Sequence, residues 1–148
     1  MSLLLFGSVI LFGQSAQLGA KSADVVKISA GASKPDGEGK QTILVTLEIA
    51  PSYHIYANPV KNESFKSVQT VIRVHSVAKL RGVMVAYPVG KTVTAASESF
   101  RVYEGKVTFK VSIVRSKEDS NPVEISAWVH ATNAERNCLP SLLKVKVP

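Results

Sequence analysis

Apolar residues at every second position, turn signals at short intervals and the lack of any stretch fitting a helix of three turns predict an all-β chain. The expected architecture is an immunoglobulin-like antiparallel β-sandwich of about seven to nine strands. A weak first strand is expected over residues 25–29. The second is clear: Ile43, Val45, Leu47 and Ile49 alternate with polar Thr42, Thr46 and Glu48, so one face is apolar and the other wet. Val68, Thr70, Ile72 and Val74 give a third, and residues 83–87 a weaker fourth. Val107, Phe109, Val111 and Ile113 alternate with Thr108, Lys110 and Ser112, and Val123, Ile125, Ala127 and Val129 repeat the pattern. Leu143, Val145 and Val147 form the last strand. Between them lie turn clusters such as Lys34-Pro35-Asp36-Gly37, Ala57-Asn58-Pro59, Tyr103-Glu104-Gly105 and Asp119-Ser120-Asn121-Pro122. Trp128 is out of phase with its apolar neighbours and faces the other side of its strand, to cover a second small cluster or to lie at a site.

The chain has 148 residues, with 18 Lys and Arg against 11 Asp and Glu. Residues 3–12 (LLLFGSVILF) form a compact uncharged apolar run, no charged side chain precedes Lys21, and small residues follow. Residues 1–20 therefore read as a secretory signal peptide, which makes the protein periplasmic or secreted, and the functional domain spans residues 21–148. A run of this length is too short to cross a bilayer of about 30 Å as a helix. The +7 net charge is scattered along strands rather than massed in a block, and no helix-turn-helix or aromatic-basic stacking pattern accompanies it, so no nucleic-acid partner is implied. No phosphate-binding glycine loop, dinucleotide fingerprint or nucleophile elbow occurs, and no cofactor is implied. His54, His75 and His130 show no paired-ligand spacing, so no metal site is expected.

Chemistry concentrates at Cys138, the single cysteine. In an oxidising compartment it stays free or pairs outside the chain. Its segment, His130-Ala131-Thr132-Asn133-Ala134-Glu135-Arg136-Asn137-Cys138-Leu139-Pro140, is polar and turn-like and lies between two strands. The sulfur is thus expected on an exposed connection, with Arg136 near enough in sequence to favour the thiolate.

Four landmarks in order carry a resemblance: Ile49-Ala50-Pro51-Ser52-Tyr53-His54-Ile55-Tyr56-Ala57-Asn58, then Tyr87-Pro88, then Tyr103-Glu104-Gly105, then Cys138-Leu139-Pro140. Over nearly all of residues 21–148 the chain resembles the N-terminal domain of the DsbD-type thiol:disulfide interchange proteins, an immunoglobulin-like periplasmic module that passes electrons between redox proteins. In that family two cysteines on a hairpin loop form an exchangeable disulfide. The resemblance matches the second to Cys138 and puts Thr132 at the first. A threonine oxygen can neither form nor resolve a disulfide, so dithiol reductase activity is not expected of this chain alone. The resemblance further implies that Tyr53 and Tyr56 surround the cysteine loop, and that partners are separate periplasmic thiol-redox chains, thioredoxin-like or a membrane electron donor. The family's cap loop falls on residues 95–103, which contain Phe100 but no clear match to its acidic-aromatic tip.

Two functions follow as expectations. The first is a protein–protein interaction module of a periplasmic redox or cytochrome-maturation system, binding through Tyr53, Tyr56, Thr132 and Arg136. The alternative is monothiol disulfide exchange through Cys138. Binding of anionic surface polymers through the net charge is a third reading.

Overall fold

The computed structural model describes residues 20–148, so the signal peptide expected over residues 1–20 lies outside the described residues except for Ala20. Eleven strands appear among the described residues: β1 (Val26–Ala32), β2 (Lys40–Ile49), β3 (His54–Tyr56), β4 (Val71–His75), β5 (Gly82–Ala86), β6 (Lys91–Ala95), β7 (Glu98–Tyr103), β8 (Lys106–Val114), β9 (Val123–Val129), β10 (Ala131–Thr132) and β11 (Ser141–Val147). Two short 3-10 helices, Ser22–Asp24 and Glu63–Val68, complete the set. The strands form three antiparallel sheets in the orders β1-β2-β8-β5, β11-β9-β4 and β10-β3-β7-β6. The all-β sandwich expected from the sequence is the observed fold.

The core follows from the alternation. In the β2–β8 ladder Ile43 faces Val111 and Val45 faces Phe109, and all four are fully buried. Ile125, Ala127 and Val129 of β9, Ile55 of β3 and Tyr103 of β7 meet them in one cluster, so all three sheets share a single apolar core. The ring of Phe109 meets Tyr87 and Tyr103 edge-on, at centroid distances of 5.8 and 5.4 Å. The phenol ends are satisfied by backbone. Tyr103 donates to the carbonyl of Pro88 at 2.7 Å, and Tyr87 accepts from the amide of Ile72 at 2.9 Å.

One end of the core is polar. Gln41 takes an inward place opposite Ile113 and is 3% exposed; its amide donates to the carbonyls of Ser33 and Pro148. Its oxygen accepts from Arg115, a buried guanidinium that also binds the Asp119 carboxylate at 3.3 Å and the carbonyl of Asn121. The amide of Arg115 donates to the carbonyl of Gly39. Gly39 has φ +82, and a Cβ there would lie 2.1 Å from the Arg115 carbonyl oxygen, so both conformation and space require glycine.

A second, smaller cluster joins Tyr56, Val60, Phe100 and Val102, with Phe65 packed against it. Here the structure departs from the sequence reading. The strand expected from Val68 starts at Val71, because Asn62 caps the 3-10 turn by accepting from the amide of Ser64, and both the amide and the hydroxyl of Thr70 are spent on the carbonyl of Tyr56. Strands β3, β6, β7 and β10 are additional to those expected. Trp128 does face away from the main core, but it joins no second cluster: it is 37% exposed on the outer face of β9.

The β6–β7 hairpin closes through Ala96 and Ser97, both at positive φ, +50° and +69°. Residues without a Cβ penalty suit this two-residue turn better. The double substitution Ala96→Asn and Ser97→Gly is expected to stabilise the fold by roughly 1 kcal/mol, read as a higher urea midpoint at unchanged slope.

Candidate functional site

After β9 the chain passes through His130 into β10, which pairs with β3: Ala131 lies opposite Ile55 and Thr132 opposite His54. It then turns back on itself. Thr132 bridges to Asn137, and the amide of Cys138 donates to the carbonyl of Ala131 at 2.9 Å. The intervening loop is tied by its own side chains. The Asn133 side-chain oxygen accepts from the amides of Glu135 and Arg136, at 2.9 and 2.7 Å, and the Thr132 hydroxyl donates to the carbonyl of Arg136 at 3.0 Å.

Paired residues of an antiparallel ladder share a face, and chain neighbours take opposite faces. Ala131 and Cys138 point into the core, 0% and 2% exposed. Thr132 and Asn137 point the other way, so the hydroxyl at position 132 and the sulfur at position 138 lie on opposite sides of the hairpin. The expectation of Cys138 on an exposed connection is corrected here. The polar residues that suggested it, Asn133, Glu135 and Arg136, occupy the loop, whereas Cys138 has already re-entered the ladder. Ser22 seals this place from the other side. Fully buried, it accepts from the amide of Ala131 and donates to the carbonyl of Leu139, each at 2.8 Å.

Burial sets the chemistry of the thiol. Removal from water pushes the Cys138 pKa above its ordinary value, Arg136 pulls it down more weakly, and Asp24 adds to the rise. Arg136 thus exerts the expected attraction, but desolvation outweighs it, and a neutral thiol is a poor nucleophile. Alkylation of Cys138 in the native protein is expected to be slower than in the denatured chain by on the order of a hundredfold or more. Equal rates would show a thiol freely reached by solvent.

Tyr53 and Tyr56 belong to different clusters. Tyr53 packs half-buried against the main core that holds Cys138. Tyr56 stacks on Phe65 at 5.2 Å and meets His130 edge-on at 5.9 Å, and burial raises its phenol pKa. His130 Nε2 is hydrogen-bonded to the Asn137 side-chain oxygen at 2.9 Å. The half-buried imidazole of His54 has a lowered pKa because desolvation disfavours its charged form. The stretch matched to the cap loop, residues 95–103, is the turn after β6 together with β7, and Phe100 is packed against Phe65 and Tyr56. Sequence reasoning passed over Ser22, Phe65 and Asn137. Only the register of the folded chain brings them to the site.

The model of the family described as thiol:disulfide interchange protein DsbD, N-terminal, matches residues 22–141. Among solved structures, the N-terminal periplasmic domain of ScsB from Proteus mirabilis superposes with a TM-score of 0.61 at 17% identity, over 83% of this chain and 45% of that one. This chain therefore spans less than half of the ScsB structure. The Neisseria meningitidis DsbD N-terminal domain in its reduced form is similar at 14% identity and a TM-score of 0.49, over 84% of this chain and 86% of that one. No curated protein sequence matches. No helix among the described residues is long and apolar enough to cross a membrane. With the family model covering residues 22–141, from the first 3-10 turn to the start of β11 and with the hairpin of Thr132 and Cys138 included, the chain belongs to the DsbD N-terminal domain family.

Proposed function

We propose that this protein is a periplasmic interaction module of a thiol-redox or cytochrome-maturation system, which docks thioredoxin-like or membrane-bound partner chains without running a dithiol cycle itself. One observation carries the reading: the single thiol, that of Cys138, is buried, with its pKa raised, on the opposite side of the hairpin from Thr132. Family membership supplies the docking role, and the exposed rim of the hairpin supplies its surface, with Arg136 at the loop and Tyr56, His130 and Asn137 behind it.

The test compares wild type with Cys138→Ser for binding a thioredoxin-like domain by calorimetry. Equal affinities within about twofold are expected, because the sulfur takes no part in docking. Loss of binding in the serine variant, or a mixed disulfide with Cys138 isolated from the native complex, would overturn the proposal and favour monothiol exchange.

A further inference from the structure

The outer face of the β11-β9-β4 sheet combines features that the hairpin does not use. Three residues in register, Val71, Trp128 and Leu142, make an apolar row across the three strands, and Trp128 and Leu142 are 37% and 51% exposed. The next row is Arg73, Ser126 and Lys144, and the one after ends in Lys146. Arg73, Lys144 and Lys146 are all exposed, and the one carboxylate among them, Glu124, lies 4.0 Å from Lys144. The face is therefore cationic with an aromatic and aliphatic margin.

A second copy of the chain is a poor occupant, since a two-fold contact would set these cations against themselves. The chain's own path favours a different one. The amide of Leu139, just before β11, donates to the carbonyl of Ala20 at 2.9 Å, so the N-terminal segment meets the domain beside the start of the strand that carries Leu142, Lys144 and Lys146. Between Ala20 and the uncharged apolar run at residues 3–12 stand only residues 13–19, a reach of about 25 Å when extended. While that run is held in a membrane, the β11-β9-β4 sheet stays within reach of it, and the exposed cations of the sheet complement anionic headgroups.

We propose that the Trp128 face is a membrane-contact surface that lies against anionic phospholipid headgroups, with Arg73, Lys144 and Lys146 supplying the attraction and Trp128 and Leu142 the interfacial apolar contact. The experiment is co-sedimentation of the full chain with vesicles of phosphatidylglycerol and phosphatidylcholine in equal parts, and with phosphatidylcholine alone. Insertion of residues 3–12 contributes to both, whereas the face contributes only to the first. Expected are tighter binding to the anionic vesicles, loss of that difference at high salt, and a roughly 20- to 30-fold weaker anionic binding for the combined Lys144→Gln and Lys146→Gln variant. Trp128→Ala should weaken it separately, and an unchanged melting temperature verifies that each variant is folded. Equal binding to both vesicles, or variants that bind as wild type does, would overturn the proposal. So would competition by polyglutamate without vesicle binding, which would assign the face to an acidic protein, or self-association abolished by the lysine substitutions.

Discussion

Arg115→Met is expected to destabilise the fold by about 3 kcal/mol or more, because one guanidinium ties β2 to the loop between β8 and β9. It donates a hydrogen bond to the side-chain oxygen of Gln41 from β2, pairs with Asp119 and binds the carbonyl of Asn121. A methionine fills similar volume but leaves the buried Gln41 oxygen without its donor and Asp119 without its counter-charge, which is the costlier half of breaking such a pair. The variant should also change the acid limb of the stability profile. The Asp119 carboxyl is held below its ordinary pKa of 3.8, first by its hydrogen bond from Arg115 and then by the amide of Asn121. A depressed folded pKa contributes stability that is complete above the unfolded value and drains away as pH falls through the folded one. Urea midpoints measured from neutral pH down should therefore fall more steeply below about pH 4 in wild type than in the variant. Parallel profiles would remove Arg115 as the cause.

Phe109→Ala is expected to cost about 3 to 5 kcal/mol, the usual range for emptying an aromatic site that cannot collapse. Phe109 is fully buried and sits between the rings of Tyr87 and Tyr103, each anchored by its hydroxyl to backbone. Those anchors prevent the walls from closing on the cavity. The effect should reach the candidate site. Tyr103 lies opposite Ile55, and Ile55 lies opposite Ala131, so the cavity is two strands from the hairpin. Faster native labelling of Cys138 than its small baseline should accompany the fall in melting temperature. A fall without faster labelling would mean that the hairpin is held independently of the core beneath it.

The strands legible in the sequence are those whose two faces meet different environments. β2 and β8 have the core on one side, and their alternation is clean; β9 keeps the same alternation of apolar residues although Ser126 is also buried. β6 has a single half-buried residue, Val93, in five, so no pattern marks it, and its turn uses Ala96 and Ser97 rather than the glycine or asparagine that signals a hairpin. β3 and β10 are too short for a period to show, and only their pairing with each other and with β7 makes them strands. The site was legible in part for the same reason. The sequence marks Thr132 and Cys138 as chemically distinct positions, but which side of a two-residue strand each one faces is decided by register. The Ser22 contact is invisible for another reason: it joins residues 109 and 117 positions apart.

One backbone run belongs to two sheets. Only His130 separates the end of β9 from the start of β10, so the hairpin is mounted on a beam that is clamped along its length. Seven registered pairs with β11 and five with β4 grip that beam from both sides. A partner pulling on the hairpin along the strand axis loads these ladders in shear, all rungs at once, rather than peeling them one by one. The hairpin then behaves as a stiff handle: force applied there is borne by the whole β11-β9-β4 sheet, and the first structure to give way under load would lie elsewhere, at the short β3–β10 contact of two pairs.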